Sequence, residues 1–371
     1  MISFLDLKSG YLELKDELDA AVARVLRSGW YVLGPEVQDF ERDFAAYARV
    51  AHCVGVGNGL DALVLALRAL DVGPGDEVLV PSNTYIATWL AVSMVGATPV
   101  PVEPDERTYC MDPARAEAAI TSRTKVILPV HLYGHVADTA ALGKLCREHG
   151  LRMLEDAAQS HGASLNGRRV GDTDGVVAWS FYPGKNLGAY GDGGAVTTND
   201  ADVARKIATL RNYGSEVKYV NLVKGVNSRL DPLQAAMLRV KLQHLDAWNT
   251  RRDAIARRYA ERLSGLPLML PTVQAGTVHA WHLYVVRTPL RDALQAHLAE
   301  KGVGTLIHYP IPPFLQEAYA EFAERASEWP QADRMAKELL SLPMGPHMTL
   351  AQADTVAEAI IDFFQHSPKA A

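Results

Sequence analysis

The chain has 371 residues, 48% hydrophobic and 22% charged, an ordinary globular composition that excludes collagen-like, disordered and disulfide-scaffold proteins. Its formal charge is −6, from 37 basic and 43 acidic residues, which argues against a broad nucleic-acid-binding face. Cys53, Cys110 and Cys146 are odd in number and form no CxxC pair, so neither a disulfide framework nor a zinc knuckle is expected.

The amino terminus, MISFLDLKSGY, has an early acid and no apolar core of signal-peptide length. No run nears the ~20 apolar residues that a membrane helix needs, so a cytoplasmic protein is expected. Leu14, Leu18, Val22, Val25 and Leu26 share one helical face, which predicts an amphipathic helix over 12–27. Gly34-Pro35 breaks the chain, and Val37–Tyr47 reads as helix again. An alternation then begins. β-branched runs at 51–56, 78–81, 98–103, 125–131, 152–155, 175–181 and 194–198 predict strands. Helical patterns at 59–70, 84–95, 112–121, 137–149 and 201–211 lie between most of them. Several strands are continuously apolar, as Val126-Ile127-Leu128 is. That suits a sheet covered on both faces, so the fold class is α/β.

Beyond residue 232 the texture changes. A long helical pattern runs from Gln234 to Leu263, rich in paired arginines. A Pro/Gly-rich stretch follows at 265–276, then one strand-like run at 282–287 and helices near 290–301 and 350–365. The expected organisation is a large α/β domain over 1–245 and a small carboxyl-terminal domain over 246–371.

Four stretches carry candidate chemistry. Gly55-Val56-Gly57-Asn58-Gly59-Leu60 lies between a strand and a helix. It fails as a dinucleotide fingerprint, because GxGxxG needs glycine where Leu60 stands. A glycine turn at a helix start still presents amide donors that suit a phosphate; the plain alternative is a tight turn. In Leu154–Gly162 (LEDAAQSHG), apolar residues deliver Asp156 to a strand's carboxyl end, where ligands of open α/β sheets bind. Asp156 reads either as a helix cap or as the partner of a protonated heterocycle nitrogen. In AWSFYPGKN (178–186), Lys185 follows a strand amid aromatic and glycine residues. A lysine held in a partly closed apolar site loses pKa and becomes an amine nucleophile, whereas most turn lysines are solvated. The segment 211–234 gathers Arg211, Lys218, Lys224 and Arg229 with Tyr213 and Tyr219: a solvated basic loop, or a binder of an anion such as a diphosphate.

Other patterns say less. His131 and His135 are four apart, but no HExxH glutamate accompanies them, so no metal site is expected. No GxSxG elbow exists. His308-Tyr309-Pro310 reads as a turn or as one wall of a cleft between domains.

The Asp156 and Lys185 motifs, at this spacing, resemble the DegT/DnrJ/StrS family of sugar aminotransferases. The matching stretches are LGPEVQDFE (33–41), GVGNGLDAL (55–63), PSNTYIAT (81–88), EDAAQSHGA (155–163), SFYPGKNLGAYGDGGAV (180–196) and NSRLDPLQAA (227–236). They cover nearly the whole chain in order. The resemblance implies a pyridoxal 5'-phosphate (PLP) enzyme of fold type I, the aspartate-aminotransferase fold. That fold has a large mixed-sheet domain and a small α+β domain. It implies that Lys185 joins the cofactor and that Asp156 faces the ring nitrogen. Gln159 would contact the ring hydroxyl, and Tyr85 would stack on the ring. Asn58, Gly59, Leu60 and Ser180 would hold the phosphate. Asn227 would reach that phosphate from a neighbouring subunit, which implies a homodimer with shared active sites.

Relatives with histidine at the lysine position act as dehydratases, and Lys185 favours transamination. By resemblance the donor is L-glutamate and the acceptor a keto sugar on a nucleotide. SNTYIATWLAVS (82–93) and residues 212–234 look most like the subgroup acting at C-3 of dTDP-3-keto-6-deoxyhexoses, giving 3-amino-3,6-dideoxy sugars. A 4-keto substrate, a PLP-dependent dehydratase and a PLP-binding regulator stand as alternatives. Lys218, Tyr219 and Arg229 are expected at the nucleotide. His161, His308 and Tyr309 are expected at the sugar. No nucleic acid, metal or membrane partner is expected.

Overall fold

Seven strands form the central sheet, in the order His52–Val56, Gly194–Thr198, Val176–Ser180, Arg152–Asp156, Thr124–Ile127, Glu77–Pro81 and Thr98–Val102. Gly194–Thr198 runs against all the others. The computed structural model describes residues 1–366. Glu77–Pro81 and Gly194–Thr198 are buried at every residue, because helices cover both faces of the sheet. Alternate residues point to opposite faces. Val78 and Val80 pack with Leu63, Leu67, Trp89 and Ile207 from helices Gly59–Ala69, Ile86–Met94 and Ala201–Leu210. Leu79 faces the other way and meets Leu142 and Leu145 of helix Thr139–His149. On that same side Val177 and Trp179 meet Phe40 and Phe44 of helix Pro35–Ala48. The edge strand Thr98–Val102 carries Pro99 and Pro101, residues tolerated at an edge.

Helix Pro232–Leu263 has 32 residues and links two cores. Leu238 and Leu245 belong to the sheet's core. Ile255, Tyr259 and Leu263 belong to a second core with Leu294, Leu298, Val356 and Ile360. That core includes the antiparallel strands Tyr284–Arg287 and Leu339–Leu342. The expected division at 245 therefore falls inside one continuous helix. Two segments cross it. Residues 2–4 bond to the second unit at Gly302, Gly304 and Met344. Conversely, Phe314, Tyr319, Phe322 and Trp329 pack on the large sheet's helices, and Glu103 accepts the amides of Gln331 and Ala332. Residues 367–371 of the expected small domain lie outside the described residues.

Strand Leu339–Leu342 and helix Pro330–Glu338 were not foreseen; a four-residue apolar run has no distinctive period. The hairpin Ser215–Val217/Val220–Asn221 was also unforeseen. Among the described residues no helix is long and apolar enough to cross a membrane.

Candidate active site

The parallel strands end together, so their carboxyl ends bring distant motifs to one edge of the sheet. His52–Val56 leads into the 57–60 turn, and Glu77–Pro81 leads into Tyr85. Arg152–Asp156 ends on Asp156, and Val176–Ser180 ends on Ser180. The antiparallel strand starts at this edge with Gly194. This is where an open α/β sheet binds its ligand.

Lys185 sits in a loop folded back on itself. Its amide donates to the Tyr182 carbonyl (2.8 Å), and Ala189 donates to Phe181 (2.7 Å). The next residue anchors the loop: Asn186 Nδ2 donates to Asn249 Oδ1 (2.8 Å) and to the Ala280 carbonyl (2.6 Å). Lys185 keeps some accessible surface at the cleft mouth, but protein surrounds it. Desolvation brings its ammonium down to about 8, against the pull of Asp156.

Asp156 is buried. Its carboxylate accepts from the Thr88 hydroxyl (3.0 Å) and the Ala158 amide (3.1 Å). Burial pushes its pKa up, while those two donors and the Lys185 charge oppose the rise. Gln159 is held at both ends: Oε1 accepts from the Tyr133 amide (2.6 Å) and Nε2 donates to Tyr309 Oη (3.0 Å). The Tyr309 ring lies 5.1 Å from that of Tyr85, whose ring is otherwise exposed.

Asn58 caps helix Gly59–Ala69 by accepting the Asp61 amide (2.9 Å). That leaves the amides of Gly59 and Leu60 as donors at the positive end of the helix. Two glycines make room there. A Cβ on Gly59 would stand 2.6 Å from Ser180 Cβ, and one on Gly194 would stand 2.4 Å from the Asn58 carbonyl oxygen. The edge thus holds an anion cradle, a buried carboxylate and a lysine of lowered pKa, and this donor set fits PLP: phosphate, ring nitrogen and aldehyde, respectively.

Asn227 is exposed beside this turn, in a cavity it shares with Asn58 and Asp61. Its neighbour Ser228 accepts the Gly57 amide (3.0 Å) and donates to Asp61 (2.7 Å). Thr88 and Ser228 had no expected role, although each lies within a motif quoted above. Thr88 is one helical turn beyond Tyr85, which was the available signal.

The expected substrate residues separate. His308 and Tyr309 lie beside the site, Tyr309 through Gln159 and Tyr85; His308 Nδ1 bonds Ser341 Oγ (2.8 Å), and burial lowers the ring to about 4. His161 lies deeper. Its ring is fully buried, 5.2 Å from that of Trp179 and 5.8 Å from that of Phe181. Burial lowers it to about 3, a fall only partly offset by the Ser180 backbone. The ring thus lies in the wall beside the lysine, with neither nitrogen hydrogen-bonded. Lys218 and Tyr219 occupy the hairpin tip. Lys218 Nζ lies 5.1 Å from the Tyr219 ring, which is 87% exposed. Within one chain these two make no contact with Lys185 or Asp156. Arg229 donates to Asn212 Oδ1 (3.1 Å) and lies 5.5 Å from the Tyr213 ring. The basic segment is not all free, since Arg211 is taken up by Glu41 and the Gly55 carbonyl. His131 pairs with Glu155 (2.9 Å), and the His135 ring lies 4.3 Å from that of His279. No cluster of three metal-binding side chains occurs among the described residues.

A model described as the DegT/DnrJ/EryC1/StrS aminotransferase family matches residues 12–361. The dTDP-3-amino-3,4,6-trideoxy-alpha-D-glucose transaminase of Streptomyces venezuelae is 55% identical over 370 residues, covering 100% of this chain and 98% of that one. The dTDP-3-amino-3,6-dideoxy-alpha-D-galactopyranose transaminase of Aneurinibacillus thermoaerophilus is 53% identical over 97% of this chain and 99% of that one. Among solved structures, S. venezuelae DesV with a ketimine intermediate superposes with a TM-score of 0.98 at 55% identity, over 99% of both chains. Bacillus subtilis NtdA, solved with its bound cofactor PMP, gives 0.89 at 30% identity, over 95% of this chain and 82% of that one.

Proposed function

From the premise that the chain belongs to the DegT/DnrJ/EryC1/StrS aminotransferase family, a family of PLP-dependent enzymes, we propose that it transfers the amino group of L-glutamate to C-3 of a dTDP-3-keto-6-deoxyhexose. The two named relatives act on sugars that differ at C-4 but share a 3-amino group and a 6-deoxy carbon. The observation that carries the reading is the meeting, at one sheet edge, of Lys185 with its lowered pKa, the buried Asp156 and the glycine-lined helix start.

Bound PLP supplies an aldehyde that takes up nitrogen and a protonated ring that withdraws electrons. The chain's residues do the rest. Asp156 would hold the proton on the ring nitrogen, because a carboxylate favours an adjacent cation. Lys185 Nζ, partly neutral near pH 8, would be the amine that joins the PLP aldehyde and the base that moves a proton beside it. The Gly59 and Leu60 amides with the Ser180 hydroxyl would hold the phosphate, and Asn58 would orient them as the helix cap. Tyr85 would stack on the ring, and Gln159, fixed by Tyr133 and Tyr309, would contact the ring hydroxyl.

The protein works as a homodimer in the cytoplasm, with Asn227 of the partner subunit completing the phosphate site and the partner's Lys218, Tyr219 and Arg229 reaching the nucleotide. The support is apolar exposure: Val217, Tyr219, Val220, Leu222 and Val223 all face solvent around the hairpin, and Trp30, Tyr31 and Val32 do so near the Asn58 turn. Such patches mark interaction surfaces. The division into two units lies within helix Pro232–Leu263.

Product analysis tests the reaction. Incubation with L-glutamate and dTDP-3-keto-6-deoxyglucose should consume one glutamate per 3-amino sugar formed. Loss of a sugar hydroxyl without glutamate consumption would show the dehydratase instead. Amination at C-4 alone would overturn the regiochemistry.

A further inference from the structure

The first six residues run across the second unit and end against the lysine loop. The Ile2 amide donates to the Gly302 carbonyl (2.8 Å), and the Ile2 carbonyl accepts from Gly304 (2.9 Å). The Phe4 carbonyl accepts from the Met344 amide (3.3 Å). Asp6 then caps helix Leu7–Glu13 through the Ser9 amide. The segment is pinned at both ends, so its middle residues hold fixed places.

Those middle residues lie beside His308 and the lysine loop. The Phe4 ring lies 5.7 Å from the His308 ring and, like Tyr309, packs against the cluster that includes Val130 and Tyr133. Leu5 meets Gly184, the residue before Lys185. A Cβ on Gly184 would stand 3.7 Å from Leu5 Cδ2 and 3.6 Å from Tyr182 Cε1. Two consecutive strap residues therefore touch the two polar features that bracket the cleft, the lysine loop and the His308-Tyr309 turn. Both are half-buried and neither side chain has a group that can hydrogen-bond.

We propose that this amino-terminal strap is the apolar wall of the sugar subsite, and that Leu5, backed by Phe4, selects sugars whose C-6 carries no hydroxyl. The inference rests on the nucleotide-sugar reading above. A methyl group gains by lying against Leu5, whereas a hydroxyl there loses its water and finds no partner.

Titration calorimetry of the PLP-loaded protein tests this with three non-reacting probes: dTDP, dTDP-glucose and dTDP-6-deoxyglucose, the last two differing by one oxygen. The wild type should bind the 6-deoxy sugar at least about tenfold more tightly than dTDP-glucose, the discrimination one group in an apolar pocket provides. In Leu5→Ser the ratio should fall to within about twofold while dTDP affinity stays unchanged. Phe4→Ser reads the same ratio should Leu5→Ser fail to fold. A wild type that binds dTDP without preferring the deoxy sugar, or a folded variant that keeps the full ratio, would overturn the strap assignment alone. A wild type that binds none of the three would overturn the nucleotide-sugar reading and the inference with it.

Discussion

Lys185 and Asp156 are bound to each other by one electrostatic balance. Burial makes each charge costly, and each charge lowers the other's cost. The Lys185 ammonium loses its proton as pH rises through about 8, and only the neutral amine attacks an aldehyde. Uptake of PLP by the cofactor-free protein should therefore accelerate roughly tenfold per pH unit below that point and level off above it. Stopped-flow absorbance reads the profile. A flat profile from pH 6 to 9 would remove Lys185 as the attacking group. Lys185→Ala should fold normally and lose at least about 100-fold in transamination. Asp156→Asn should still bind PLP but lose about 10²–10³-fold in turnover, because an amide stabilises a ring cation poorly. Unimpaired turnover in that variant would mean another group holds the ring proton. Asp156 stands out in the sequence as a carboxylate at the end of an apolar strand and Lys185 as a lysine in an aromatic and glycine-rich loop beyond a strand; the roles proposed for them come from the family resemblance. Thr88 and Ser228 do not stand out: a hydroxyl's role depends on which distant atom the fold brings to it, here Asp156 and Gly57. That Trp179 and Phe181 would enclose His161 was not legible either, since the three meet only in the fold.

At the scale of elements, the helix Gly59–Ala69 does two things. Its inner face packs the sheet through Leu63 and Leu67, and its first turn forms the anion cradle. The cradle needs glycine for space rather than for backbone freedom, since Gly59 is hemmed in by Ser180. Gly59→Ala must push Ser180 aside and should weaken PLP binding about tenfold or more, equivalent to about 1.4 kcal/mol. Equilibrium dialysis measures it, and an unchanged affinity would mean the phosphate lies elsewhere. All seven sheet strands were legible, because buried β-branched runs between turn residues are distinctive. Leu339–Leu342 was not, since LLSL reads equally as helix or strand until Tyr284–Arg287 pairs with it. The segment 317–338 was missed for a related reason. Its aromatic residues Tyr319, Phe322 and Trp329 find their partners on the sheet's helices rather than in their own neighbourhood.

At the scale of the whole molecule, one chain supplies most of the site and leaves the hairpin tip exposed. If two chains share their sites, disrupting the interface must also damage cofactor binding. Leu222→Asp with Val223→Asp should shift sedimentation from dimer to monomer and weaken PLP binding, because Asn227 would no longer be delivered to the neighbouring phosphate. A monomer with full PLP affinity would show that each chain binds its cofactor unaided. A change of texture is visible in the sequence near residue 232, but the crossing segments are not: the amino-terminal strap and residues 314–332 pack through contacts far apart in sequence. The central claim is that nitrogen passes from glutamate to a keto sugar through PLP held at Lys185. The most direct test is the absorption spectrum of the PLP-loaded protein, followed through the addition of L-glutamate and then of dTDP-3-keto-6-deoxyglucose. The account predicts that glutamate removes the PLP band and that the keto sugar restores it. A band that glutamate leaves unchanged, or that the keto sugar fails to restore, would contradict it.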